Sequence, residues 1–283
     1  MGCGDIALRT IPHLNHYRLF ALTRNRDDLA SLRALNVTPI AGDLDQPATL
    51  TRLRGLADTV LHFAPPQNHG TRDLRTAKVL AALAKPSILP QRLVYISTSG
   101  VYGDCNGAWI DETHPLLAQT PRAIRRVDAE RRLRLWGQRN KVCVVILRVP
   151  GIYAAERLPL ERLRKATPVL RLEDDVYTNH IHADDLAQAV IAALRYGRPG
   201  RTYNIADDSE LKMGDYFDLV ADRFGIAHPP RISRAEAAQL IPASLLSFMS
   251  ESRRLQNSRM KNELRVQLQF PHPNDALRKI GIS

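Results

Sequence analysis

Over the first two thirds of this 283-residue chain, short apolar runs alternate with amphipathic stretches, and that alternation leaves few folds open. Arg18–Thr23, Thr38–Ala41, Asp58–Ala64, Leu93–Ser97, Val142–Leu147 and Thr202–Ile205 read as strands, each too short for a helix and rich in apolar side chains. Val142–Leu147 is apolar at every position, as expected of a strand covered on both faces. Between them, Arg26–Leu35, Pro47–Leu56, Arg72–Leu83, Arg122–Gln138 and Asp184–Leu194 read as helices, the last opened by a cap at Asp184-Asp185. Strands separated by helical segments predict an α/β fold: a Rossmann-like doubly wound parallel sheet with helices on both faces.

After about Asp207 the pattern changes to two or three helices with proline-rich joints at His228-Pro229-Pro230 and Phe270-Pro271-His272-Pro273. This region reads as a smaller C-terminal lobe for substrate. The expected division is residues 1–152 with 179–206 as the nucleotide-binding domain, and 153–178 with 207–283 as the substrate lobe.

Composition narrows the function classes. The apolar runs are too short to span a bilayer, and no charged-then-apolar leader is visible. Met1-Gly2-Cys3 resembles an acylation signal, but Ile6 stands where that signal needs Ser or Thr. Cys3, Cys105 and Cys143 are scattered, so neither a disulfide framework nor a metal site is expected, and a reducing, cytoplasmic setting fits. The net charge is +11 with only seven lysines, which fits either an anionic partner or simply an arginine-rich surface. The arginines are spread along the chain with little aromatic interleaving, which argues against nucleic acid.

Gly2-Cys3-Gly4-Asp5-Ile6-Ala7 matches the dinucleotide-binding pattern G-x-G-x-x-[GA], in which phosphates meet the free N–H groups of a helix N-terminus. Gly2 serves the tight turn, Gly4 the approach of the pyrophosphate, and Asp5 and Ile6 open the helix. A strand must precede such a loop, and here only Met1 does. The first, central strand is therefore missing from this sequence, through a start lying upstream or through truncation, and the former is expected. Without that strand its neighbours' edges are exposed, and poor stability is expected. Pro12 should kink or end the first helix. At the end of the next strand stands Thr23-Arg24 rather than an acidic residue, a choice that favours the 2′-phosphate of NADP over NAD, with surface charge as the alternative for Arg24. Asp43 lies either against the adenine or in a turn, while Phe63-Ala64-Pro65 should line the middle of the cofactor.

Tyr95-Ile96-Ser97-Thr98-Ser99-Gly100-Val101-Tyr102-Gly103-Asp104 resembles the fifth-strand signature of the extended short-chain dehydrogenases/reductases, the NAD(P)-dependent epimerase/dehydratase family. The resemblance continues through Glu112, Leu147-Arg148-Val149-Pro150-Gly151-Ile152-Tyr153, Asn179–Asp185, Tyr203-Asn204-Ile205 and the tail segments Arg253–Arg259 and Asn262–Leu264, nearly the whole chain in order. It implies an NAD(P)-binding oxidoreductase or epimerase/dehydratase acting on a small hydroxyl or carbonyl substrate such as a nucleotide sugar. Thr98, with Ser99 as second choice, takes the position of the family's catalytic hydroxyl, and Val149 lies on the cofactor side.

The family's Tyr-x-x-x-Lys pair is absent. Counting back from Glu130, its positions fall on Arg122 and Arg126, which keep the i, i+4 spacing on one helix face. Arg126 suits a ribose or phosphate, but a guanidinium does not exchange protons near neutrality, so Arg122 cannot replace the tyrosine. Tyr102, Tyr153 and His62 are the other candidates for a proton, each with packing as the simpler reading. The pair His180-x-His182 with Asp184 has ligand-like spacing but reads better as a strand end before a helix cap. The chain thus resembles the atypical members of the family. The competing reading is a catalytically degenerate NADP(H)-binding sensor or scaffold, with homodimerisation through the long arginine-rich helix as an added expectation.

Overall fold

A computed structural model of the chain describes residues 1–84, 88–247 and 249–280. In chain order the first half contains α1 (Asp5–Thr10), β1 (Leu19–Thr23), α2 (Asp28–Ala34), β2 (Val37–Ala41), β3 (Thr59–His62), α3 (Leu74–Leu83), β4 (Arg92–Thr98), β5 (Trp109–Ile110) and α4 (Pro121–Asn140). There follow β6 (Cys143–Val149), β7 (Gly151–Tyr153), α5 (Leu160–Arg164), β8 (Val169–Leu170), β9 (His180–His182), α6 (Ala183–Tyr196) and β10 (Thr202–Asn204). The C-terminal part adds α7 (Met213–Phe224), β11 (Arg231–Ile232), α8 (Arg234–Leu240), α9 (Ala243–Leu246), β12 (Arg254–Leu255), α10 (Ser258–Glu263) and α11 (Pro273–Lys279).

The strand order is β10-β6-β4-β3, all parallel, with β1-β2 as a separate parallel pair. Val94, Val145, Leu147 and Ile6 share one apolar cluster with α6, while Leu93, Tyr95, Val144 and Ile146 share another with α3 and α4. Period-2 alternation along β4 and β6 divides these side chains between the two faces, which makes the sheet doubly wound.

Two local readings differ from the structure. Pro47–Leu53 is a 3-10 segment rather than an α-helix. The Thr49 hydroxyl donates to the Gln46 carbonyl at 2.7 Å and accepts from the Asp43 N–H at 2.9 Å, side-chain bonds that compete with the α-helical ladder. The C-terminal part has five helices among the described residues, and its short strands β11 and β12 pair with β8 and β5. Two-residue strands leave no periodic trace in a sequence. Pro12 acts as expected: α1 ends at Thr10 and continues as a 3-10 turn over Ile11–Leu14. A third apolar cluster draws on Tyr153, Leu163, Val169 and Leu170 together with Met213, Phe217, Phe270 and Leu277, so the segment from β7 onward shares a core with α7 and α11, while Met260 of α10 packs in the cluster of α6.

Between the β1-β2 pair and β3 lies a cleft of about 450 Å³, lined by Met1, Leu19, Phe20, Thr59 and Leu61. Met1 hydrogen-bonds to β3 across it: its ammonium donates to the Leu61 carbonyl at 2.8 Å, and the Phe63 N–H donates to the Met1 carbonyl at 2.9 Å. That is the bonding of a parallel strand with Met1 opposite His62. The cleft therefore has the position and the edge groups of one further parallel strand. Burial pulls the Met1 ammonium down from 8.0 to about 6, so the fold holds it as a neutral amine at neutral pH.

Two expectations follow from this cleft. A short apolar strand placed ahead of Met1 should raise the melting temperature, by about 2–4 °C for each kcal/mol gained; an unchanged, cooperative melt at high temperature would show that the cleft carries no instability. In the chain as it stands, the unfolded state binds more protons than the fold between pH 6 and 8. Stability from the amine is therefore complete above pH 8 and lost as pH falls toward 6, a loss on the order of 2 kcal/mol. Urea unfolding across that range, with and without the added strand, separates this slope from other titrations.

Candidate functional site

The carboxyl ends of the parallel strands bring the glycine loop together with the segments after β3. Gly2 has φ +78°, and a Cβ there would lie 2.4 Å from the Ala64 nitrogen, so only glycine lets this loop rest on Phe63-Ala64. Gly4 opens α1 with no side chain bonded in the cap, and a Cβ on it would meet nothing within 4 Å. Ile6 is buried against α6 and fixes the helix to the sheet. Asp5 holds Arg9 at 2.8 Å and Arg157 at 2.9 Å, tying the loop to the segment after β7. Pro65 accepts a hydrogen bond from Arg75 through its carbonyl at 3.1 Å.

Arg24 is exposed immediately past β1, where a 2′-phosphate reading needs it. Asp43 uses its carboxylate locally: Oδ1 accepts from the Asp45 N–H at 2.9 Å, the turn reading of that residue. Val149, paired in register with Thr98, is buried at the end of β6.

Beside these strand ends opens a cavity of about 600 Å³. Thr98, Ser99, Gly100 and Arg122 line it together with Tyr153, Arg162, His180, Tyr216 and Phe217. Thr98 caps the 3-10 turn Ser99–Tyr102 and accepts from the Gly100 N–H at 3.3 Å. That bond uses an oxygen lone pair and leaves the Thr98 hydroxyl proton to be donated elsewhere.

Helix α4, capped by Thr120 and opened by Pro121, positions Arg122 and Arg126. Arg126 donates through Nη1 to the Tyr95 hydroxyl at 2.8 Å and to the Ile96 carbonyl at 2.7 Å, which pins the helix to β4. Of the other proton candidates, His62 is fully buried, hydrogen-bonded to Thr76 at 3.0 Å, and pulled down to about 3 by burial, so it is neutral. Tyr102 donates to Asn204 at 2.6 Å, and burial pushes it up to about 12. Tyr153 borders the cavity with its buried hydroxyl unpartnered among the described residues, and desolvation, then the Asp207 charge, push its pKa far up. His180 stacks on Tyr216 at 4.3 Å, and His182 caps α6 by accepting from the Asp184 N–H at 3.2 Å.

Two residues escaped the sequence reading. Glu130, read only as a landmark, is buried and takes Arg148 Nη2 at 2.8 Å and the Ser97 hydroxyl at 2.6 Å. Arg148 also donates to the Tyr102 hydroxyl at 2.8 Å; Asn204 receives Tyr102, and its own N–H donates to Glu112 at 2.9 Å. Arg259 pairs with Glu112 at 3.4 Å. An arginine inside an otherwise apolar strand was the available signal, since a buried cation needs a counter-charge. Arg162 is the second, on a five-residue helix with no pattern to mark it.

Residues 7–206 match the NAD dependent epimerase/dehydratase family. The chain is similar to the dTDP-D-glucose 4,6-dehydratase of Homo sapiens, 26% identical over 174 residues and covering 55% of this chain and 49% of the relative. It is also similar to the dTDP-glucose 4,6-dehydratase of Mycobacterium tuberculosis, 27% identical over 228 residues and covering 66% of each. The match to the human protein thus spans about half of that relative's length. Among solved structures, a functionally unknown conserved protein from Silicibacter pomeroyi superposes with a TM-score of 0.79 at 27% identity, covering 98% of this chain and 95% of that one. The UDP-glucuronic acid 4-epimerase of Bacillus cereus, solved with UDP-glucuronic acid and NAD, gives a TM-score of 0.76 at 17% identity over 98% and 94%, a likeness of fold.

Removing Arg148 leaves the buried Glu130 carboxylate with only the Ser97 hydroxyl at 2.6 Å and the more distant Arg134 at 3.7 Å among its described partners, so Arg148→Met should destabilise by about 3 kcal/mol. The double variant Glu130→Leu with Arg148→Met should recover part of that loss. Urea unfolding of the cycle reads the coupling; additive losses would show that the pair is not coupled.

Proposed function

This chain belongs to the NAD dependent epimerase/dehydratase family, and from that premise we propose that it binds a dinucleotide along the carboxyl edge of the sheet and acts on a hydroxyl or carbonyl substrate in the adjoining cavity. The observation that carries this reading is the seating of Gly2 on Ala64, a cradle that any Cβ would fill, on the same sheet edge as the Thr98 cavity. Gly2, Gly4, Asp5 and Ile6 form the phosphate loop. Phe63, Ala64, Pro65 and Val149 line the middle of the groove. Asp43 stands at the adenine end, and Arg24 there favours NADP over NAD. When bound, the nicotinamide supplies or accepts hydride.

The chain's own residues do the rest. Thr98, its oxygen already accepting from Gly100, donates a hydrogen bond to the substrate oxygen and orients it. Ser99, buried beside it, supports that wall. Arg122 cannot move a proton and instead steadies negative charge that develops on the substrate oxygen. Arg126 holds α4 to β4 and offers its remaining nitrogens to the ribose. We assign the substrate cavity to a lobe made of 153–178 and 207–283, on the strength of their shared apolar cluster. A nucleotide sugar is the substrate class we favour, from the relatives' names. Among the described residues no helix is long and apolar enough to cross a membrane. The scattered cysteines are our ground for a reducing, cytoplasmic setting.

The arginines that stand at positions 122 and 126 in place of Tyr and Lys motivate a second reading, a cofactor-binding protein without turnover. Calorimetric titration of NADPH and NADH separates the outcomes. Binding of NADPH at least about tenfold tighter than NADH, a difference of about 1.4 kcal/mol, supports the Arg24 assignment. Thr98→Ala should then abolish turnover with carbonyl substrates while leaving NADPH affinity unchanged. Binding without turnover in the wild type selects the second reading, and no binding of either dinucleotide, with or without an added first strand, removes the oxidoreductase reading.

A further inference from the structure

The cavity beside Thr98 is electropositive: its lining holds four arginines, Arg122, Arg157, Arg162 and Arg253, against a single carboxylate, Glu251. Arg157 pairs with Asp5 at 2.9 Å, and Arg253 pairs with Glu251 at 2.9 Å. Two arginines of the C-terminal part that could have met an anion are also engaged, Arg231 with Asp218 and Asp175 and Arg254 with Glu210.

Arg162 differs from all of them. The residue is half-buried, but its Nε and Nη2 are buried with no hydrogen-bond partner among the described residues, and its guanidinium lies 4.5 Å from the centre of the Phe217 ring. Burial alone lowers its pKa, with no neighbouring carboxylate opposing the shift. A ring face compensates a guanidinium only weakly, and a buried cation without a counter-ion disfavours the fold unless something else supplies the charge. α5 holds the side chain in place through Leu163, which is buried in the same apolar cluster as Phe217.

We propose that Arg162 is the anchor for an anionic group of the substrate, a phosphate or carboxylate that completes its hydrogen bonds inside the cavity. A planar guanidinium with adjacent N–H donors suits two oxygens of one such group. Specificity for the charged end of the substrate then comes from α5 and α7, opposite the Thr98 wall. The inference rests on the cavity being the substrate site, and it concerns a residue that neither the glycine loop nor the Thr98 wall includes.

Calorimetry of the full chain with UDP, inorganic phosphate and glucuronic acid tests it, beside Arg162→Met and Arg162→Lys. The wild type should bind at least one of these probes, Arg162→Met should lose at least tenfold in affinity for that probe, and Arg162→Lys should fall between. UDP or phosphate as the responding probe identifies a phosphate group, and glucuronic acid a carboxylate. Without ligand, Arg162→Met should melt no lower than the wild type, because it removes an uncompensated buried charge. Equal affinity of the wild type and Arg162→Met for every probe overturns the assignment, as does an absence of binding in the wild type. A lowered melting temperature with unchanged anion affinity would make Arg162 a packing partner of Phe217. NADPH binding, measured on the same samples, should be indifferent to both variants; its loss in the wild type would count against the dinucleotide reading and leave an Arg162-dependent anion site standing.

Discussion

The ion pair between Glu130 on α4 and Arg148 on β6 is the contact on which the rest of the architecture depends. Both side chains are buried, and the low dielectric around them makes the fit of every neighbouring donor and acceptor matter. Through Tyr102, Asn204, Glu112 and Arg259 the same network reaches the turn after β4, the strand β10 and the helix α10. It therefore fixes α4, which carries Arg122 and Arg126, relative to the Thr98 wall and to the C-terminal part. The geometry of the cavity is set by a polar network in an otherwise apolar sheet.

This gives a physical meaning to the segments that carried the family resemblance. Glu112, Arg148 and Asn204 each lie in one of them, and each is a member of the network rather than of the cavity wall. Tyr102 sits in the most recognisable segment of all, yet its hydroxyl is consumed by Arg148 and Asn204. A motif can thus persist because it positions a site, while the residues of the chemistry itself, here at positions 122 and 126, change.

The strands and long helices were legible in the sequence because one-dimensional periodicity reports burial directly: Val142–Leu147 is apolar throughout and lies in the centre of the four-stranded sheet. Gly2 was legible because a tight loop needs glycine whatever the tertiary context. Residue pairs distant in sequence were not. Nothing local in Arg148 names Glu130, 18 residues away, as its partner. Thr49 was misread as helical because its hydroxyl finds backbone partners that a propensity scale does not see. Arg162 carries no pattern in the sequence that marks it, and only the burial of its Nε and Nη2 beside Phe217 distinguishes it.

The bridge from Met1 to β3 also bears on how the protein should be handled. Met1 runs alongside Leu61 at the mouth of the cleft beside Phe20, so residues joined ahead of it are expected to meet that cleft before they reach solvent. The identity of those few residues becomes part of the interior, and a polar linker there would compete with water for the facing edges of β1 and β3.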